Sequence, residues 1–128
     1  MPTRKKILLV DDEPGILRVL SIKLRVSGYD VITASHGQEA LDLIRSASPD
    51  IVLLDVIMPG IDGFEVLKEL RITSRLPVIA YSAGTSNMQE ALRLGANDFV
   101  NKPFDVNELV KRVGLLLDYK ESASEEQL

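Results

Sequence analysis

The sequence predicts an α/β fold built on a parallel sheet, and three observations carry that prediction. Five short apolar runs alternate with five segments of helical periodicity along 128 residues. Four of the runs are almost continuously apolar, as strands covered on both faces must be, instead of alternating as in a half-exposed antiparallel sheet. Strict alternation of strand and helix then requires right-handed crossovers that place helices on both faces. The expected architecture is a doubly wound three-layer sandwich with five helices and strand order 2-1-3-4-5, the flavodoxin-like arrangement.

The first run, Ile7-Leu8-Leu9-Val10, ends on the acids Asp11, Asp12 and Glu13. Pro14, pre-set for a first helical position, opens a helix in which Ile16, Leu17, Leu20 and Leu24 recur at helical spacing, and Gly28 follows as its C′ residue. The second run, Val31 to Ala34, precedes a helix over 38–45 with Ala40, Leu41 and Ile44 on one face. The third, Ile51-Val52-Leu53-Leu54, ends on Asp55 and a loop holding Pro59, Gly60 and Gly63, before a helix over 64–71 with Leu67 and Leu70 inward. The fourth, Val78 to Tyr81, leads through Ser82 to a helix over 86–94 closed by Gly95. The fifth, Asp98 to Asn101, is followed by Lys102-Pro103 and a last helix that opens on Asp105-Val-Asn-Glu108, a capping-box pattern. Residues 4–119 make one domain; from about Tyr119 the residues turn polar, so 120–128 read as a tail or the start of a linker.

Composition narrows the chemistry. Without cysteine, and with His36 as the sole histidine, the chain has no disulfide, thiolate or histidine-based zinc site, so any metal must be held by oxygen. A net charge of -4 with scattered Lys and Arg argues against direct nucleic-acid binding. No apolar run is long enough to span a bilayer, and no leader-like segment precedes the first strand, which points to a cytoplasmic protein without a membrane partner.

In a parallel sheet all strands end on one side, so the residues that follow them converge. Those residues are Asp11, Asp12 and Glu13, then Asp55, Ser82 and Lys102. If the first and third strands are neighbours, Asp11, Asp12 and Asp55 share one pocket, where like charges demand a compensating cation. With few ligands, all oxygen, that cation reads as magnesium, which keeps several waters and works beside phosphate. Lys102 and Ser82 flank Asp55 in a manner suited to phosphoryl oxygens, and a carboxylate is a competent nucleophile for phosphoryl transfer. His36 follows the second strand, off this pocket, and reads as a loop residue.

Four pieces in order, Val10-Asp11-Asp12-Glu13, Leu54-Asp55 with Met58-Pro59 and Gly63, Tyr81-Ser82-Ala83, and Lys102-Pro103-Phe104, resemble the CheY-like receiver domain of two-component response regulators. The resemblance implies that Asp55 accepts a phosphoryl group from a sensor histidine kinase or a histidine phosphotransfer protein. It implies magnesium, or manganese in its place, held by Asp12, Asp55 and the backbone carbonyl of Ile57, with Asp11 acting through a water. It further implies that Ser82 and Lys102 hold the phosphoryl group and that the Lys102-Pro103 peptide is cis. Ser82 and the aromatic Phe99 would couple phosphorylation to the surface of the fourth helix, fifth strand and fifth helix. An effector domain or downstream protein would read that surface, or a second copy in a phosphorylation-dependent homodimer. Such a domain is no enzyme beyond its own phosphoryl transfer and self-dephosphorylation. Two competing readings are a haloacid-dehalogenase-like magnesium phosphatase, which also forms an aspartyl phosphate, and a nucleotide or flavin carrier. The phosphatase family places its nucleophile after the first strand with a second Asp two residues on. Here the residue two beyond Asp55 is Ile57, which cannot move a proton, and Gly84 lies two beyond Ser82, so slow self-hydrolysis is expected. A carrier would need a Gly-rich or Ser/Thr-rich loop where this chain has three acids.

Overall fold

The computed structural model describes residues 4–83 and 86–126, with side chains to residue 119. The strands are β1 (Lys6–Val10), β2 (Asp30–Ala34), β3 (Ile51–Asp55), β4 (Val78–Ala83) and β5 (Asp98–Lys102). The helices are α1 (Pro14–Val26), α2 (Gly37–Ala47), α3 (Gly63–Thr73), α4 (Ser86–Arg93) and α5 (Val106–Glu126). All strand pairs are parallel, and the order is β2-β1-β3-β4-β5, as expected.

The pleat divides the core in two. Ile7, Leu9, Leu53, Ile79 and Tyr81 face α1 and α5, where they meet Leu20, Leu24, Leu109, Val113 and Leu117. Leu8, Val10, Leu54, Ala80 and Phe99 face the other way, onto Ala40 of α2, Val66, Leu67 and Leu70 of α3, and Ala91 of α4. Burial on both faces is what makes the strand sequences continuous instead of alternating.

Helix ends follow local chemistry. Gly28, at φ 103°, stops α1 with paired bonds from Gly28 N–H to Arg25 O and from Tyr29 N–H to Leu24 O, a Schellman closure. His36 caps α2, its Nδ1 accepting from Glu39 N–H at 3.2 Å. The capping box expected at α5 is half made: Asp105 accepts from Asn107 N–H at 2.8 Å, while Glu108 accepts from Arg112 instead of reaching back. The i,i+4 arginine is a charged partner for it, at 3.3 Å. α5 continues to Glu126, beyond the point at which its apolar periodicity ceases. Among the described residues no helix is long and apolar enough to cross a membrane.

Strands three to five run one or two residues farther than their apolar runs. Asp55, Ser82 and Lys102 are therefore the last or nearly last residues of their strands, because the ladder continues past the apolar segment, with Asp55 opposite Tyr81 and Ala83 opposite Lys102. Their side-chain directions are set by the pleat and not by a loop. Gly63 shows how closely the loop after β3 is folded: a Cβ there would collide with Asp55 O and Val56 Cα, both backbone atoms.

Gly63→Ala is expected to cost about 1–3 kcal/mol through overpacking against immovable backbone. Gly15→Ala, whose Cβ would enter open space near the start of α1, should be neutral or stabilising by up to about 1 kcal/mol. Urea unfolding of the two variants checks the contrast; equal midpoints would contradict it.

Candidate functional site

At the carboxyl edge of the sheet, Asp11, Asp12 and Asp55 each bring a carboxylate oxygen within 4.8 Å of the others. Asp11 has no exposed surface and Asp55 is 3% exposed, whereas Asp12 is open to solvent. The acids of the β1–α1 turn lie ahead of the helix, not in its first turn, and Glu13 at the N-cap makes no side-chain cap. Asp11 instead folds the turn, its Oδ1 accepting from Glu13 N–H at 2.8 Å.

Lys102 lies among these acids. Its Nζ stands 3.2 Å from Asp55 Oδ2, 3.3 Å from Asp11 Oδ2 and 3.3 Å from Glu13 Oε1. Partial burial works against the ammonium charge, but Asp55 and Asp11 outweigh it and hold its pKa above the ordinary value. Asp55 goes the other way. Burial, reinforced by the charge of Asp11, pushes its carboxyl up to about 6, although Ile57 N–H and Lys102 both favour the ionised form. One lysine does not neutralise so many carboxylates, and a divalent cation fits the surplus of oxygen donors. The cleft beside them, about 260 Å³, is lined by Asp12, Glu13, Asp55, Ile57, Ser82, Ala83 and Lys102.

The residues predicted from the strand ends are thus brought together. Ile57, 54% exposed, lines the cleft, with its N–H donating to Asp55 Oδ1 at 3.1 Å. The Lys102-Pro103 peptide is cis. Ser82 is engaged elsewhere: its Oγ accepts from Asn87 Nδ2 of α4 at 3.0 Å and contacts Ala83 O at 3.3 Å. Phe99 lies inside, 7% exposed, in the core that includes Ala91 of α4. His36 is spent on its helix cap, and Gly84 lies outside the described residues.

Three partners were not visible in the linear sequence. Tyr81, with no exposed surface, donates its hydroxyl proton to Asp11 Oδ2 at 2.8 Å, with Val10 O a second acceptor at 3.1 Å. Burial and then the Asp11 charge raise its pKa well above the usual phenol value, so the proton stays on the oxygen. Phe104 packs edge-on against the Tyr81 ring at 5.5 Å, and Asn87 ties Ser82 to α4. The signal for Tyr81 was its position: two residues apart, strand side chains share a face, so Tyr81 and Ser82 must point oppositely.

An acid cluster at the β1/β3 switch point with a lysine beside it is an arrangement suited to a phosphoacceptor. The chain belongs to the response regulator receiver domain family, whose pattern matches residues 7–114. It is 42% identical over 119 residues to the "Probable transcriptional regulator ycf27" of Guillardia theta, an alignment covering 91% of this chain and 47% of that protein. The chain therefore spans about half the length of this curated relative. The solved Francisella response regulator 1452 receiver domain is 37% identical with a TM-score of 0.87, covering 91% of this chain and 99% of that one. NtrX from Brucella abortus is 30% identical with a TM-score of 0.87, covering 98% of this chain and 30% of that one. The family match decides against the dehalogenase-like phosphatase. This is a phosphorylation-dependent signalling receiver of the CheY-like class, whose acid cluster takes the phosphoryl group and whose conformation switches when it does.

In the folded state the Asp55 pKa is pushed above the ordinary 3.8 to about 6, so the native state holds more protons between pH ~4 and ~6 and its stability falls as pH rises through that window. For metal-free protein the loss through this group should be roughly 1–3 kcal/mol, and Asp55→Asn, which cannot ionise, should abolish it. Urea midpoints of the two proteins at about pH 4 and pH 7 check this. A variant whose pH dependence equals that of the wild type would contradict it.

Proposed function

We propose that Asp55 is the phosphoacceptor, taking its phosphoryl group from a phosphohistidine of a sensor kinase or phosphotransfer protein. A carboxylate oxygen of Asp55 attacks phosphorus, the phosphorus–nitrogen bond breaks, and the imidazole nitrogen keeps the electron pair. The observation that carries this reading is the placement of Asp55 at the end of β3, with Lys102 Nζ 3.2 Å away and Ser82 lining the same cleft. Magnesium, or manganese in its place, would be held by Asp12, Asp55 and the carbonyl of Ile57, with Asp11 behind a water. Bound there, the ion supplies charge that offsets both the carboxylates and the phosphoryl oxygens. Lys102 then pairs with a phosphoryl oxygen as a point charge.

Ser82 is the link to output. Its hydroxyl is held by Asn87 in the first turn of α4, so drawing it toward a phosphoryl oxygen would break that bond and free α4. Phe99 packs in the core beside α4, so its movement would alter packing there without gaining or losing a hydrogen bond. The reader of the changed α4, β5 and α5 surface would be an effector domain, a downstream protein or a second copy of the chain. That the Guillardia relative is about twice as long and is named a transcriptional regulator supports an effector attached to a receiver of this kind. Residues 4–119 would be the receiver, with 120–128 leading into a linker. With its Lys and Arg scattered and a net charge of -4, the chain itself would not bind nucleic acid, and its place would be the cytoplasm.

Beyond its own phosphoryl transfer the chain would catalyse only slow self-dephosphorylation. Ile57, exposed at the cleft, offers no group to activate water there.

Incubation with acetyl phosphate and magnesium should add one phosphoryl group to the wild type and none to Asp55→Asn, as read by intact mass. After removal of the donor the label should decay over minutes or longer; loss within seconds, without a helper phosphatase, would refute the slow hydrolysis. Ser82→Ala should still be labelled while losing most of the change in oligomer size or partner affinity. Modification that persists in Asp55→Asn would sink the assignment.

A further inference from the structure

We propose that Tyr81 is a positioning residue of the metal site, its hydroxyl holding the Asp11 carboxylate in place beside Asp12 and Asp55 for magnesium. The proposal rests on the reading of the acid cluster given above. Tyr81 belongs to the α1/α5 core, where a phenylalanine would fill the same space among Ile79, Val100 and Leu109. A phenol with no exposed surface brings in a polar group that must find a partner. The nearer of its two acceptors is Asp11 Oδ2, at 2.8 Å, with Val10 O at 3.1 Å.

That contact completes the confinement of Asp11. Oδ1 accepts from Glu13 N–H at 2.8 Å, and Oδ2 faces both the Tyr81 hydroxyl and Lys102 Nζ. Lys102 is shared with Asp55 and Glu13, so it cannot be the dedicated anchor of Asp11. Tyr81 can: its ring is wedged edge-on against Phe104 and lies 5.3 Å beneath the Lys102 ammonium, and its backbone is laddered opposite Asp55. A rigid strand thus carries the donor that fixes the turn after β1. Removing the donor has two opposed effects on cation binding. It leaves more negative charge on Asp11, which would tighten binding, and it frees the carboxylate to rotate, which would weaken it. Loss of a partner that orients a metal-binding group commonly costs 10–100-fold in affinity, so the second effect is expected to win.

Magnesium titration of the full chain by calorimetry, at a temperature where every variant is folded, tests this. Tyr81→Phe should raise the magnesium Kd about tenfold. In an Asp11→Asn background the same change should raise it no more than about twofold, because the tyrosine acts through the aspartate. Tyr81→Met, which gives up the ring as well, should bind no more tightly than Tyr81→Phe. A Tyr81→Phe Kd equal to or below that of the wild type overturns the proposal, as does a full tenfold loss in the Asp11→Asn background. Weakening by Met but not by Phe also overturns it, since the ring and not the hydroxyl would then be responsible. A purely structural hydroxyl would lower the metal-free urea midpoint and leave the magnesium Kd of the folded protein unchanged. If the wild type binds no magnesium, the reading of the acid cluster fails first.

Discussion

Asp11 and Asp55, two buried carboxylates at adjacent strand ends, repel each other where water can do little to screen them, and the surrounding structure is arranged to offset that repulsion. Lys102 reaches both from the end of β5, Tyr81 donates to one, and the Ile57 and Glu13 amides each donate to a carboxylate oxygen. These donors do not balance the charge. Burial, with the Asp11 charge added to it, holds the Asp55 carboxyl above its ordinary range, and the cluster of carboxylate oxygens makes the edge receptive to a cation. A site with complete internal compensation would be more stable and would have no use for a metal.

Carboxylates held this close together need a mount that does not yield. The sheet supplies it, since β3 is buried along its whole length and bonded on both sides, to β1 and β4. The responsive part lies farther out, toward the edge strand β5 and α4. There Ser82 is held by one hydrogen bond from Asn87, while Arg71 of α3 donates to Gly95 O at the end of α4 and to Asn97 Oδ1. One end of α4 is thus tied to the phosphoacceptor side and the other to α3. A rigid centre joined to a helix by few, exchangeable contacts is the physical form a two-state switch takes.

β4 does two jobs because a strand has two faces. Ser82 lines the cleft, and Tyr81, one residue earlier, points into the α1/α5 core and reaches back beneath Asp11. Consecutive residues therefore reach the same carboxylate cluster from opposite faces of the sheet. The alternation that makes this happen is the ordinary pleat, with no special loop required.

Much of this was legible before folding was considered. The apolar runs, the proline and glycine punctuation and the acids, serine and lysine that follow the runs reveal the order of elements and the edge at which chemistry gathers. Local signals suffice for these, because burial on two faces and helix termination are decided within a few residues. The sequence itself also excluded thiol and histidine metal chemistry, since the residues for it are wanting. What only the tertiary structure decided is which acid is buried, which is paired, and with whom. Tyr81 meets Asp11 across 70 positions of chain, and Lys102 meets Glu13 across 89. No periodicity encodes such meetings, because they depend on the stagger of neighbouring strands and on where each pleat directs a side chain. The half-made cap at Asp105 shows the same limit at short range: the pattern was present, but Arg112 competed for Glu108. The run Ile51 to Asp55 specified a buried strand ending in an acid; the fold set that acid beside Asp11 and within reach of Lys102.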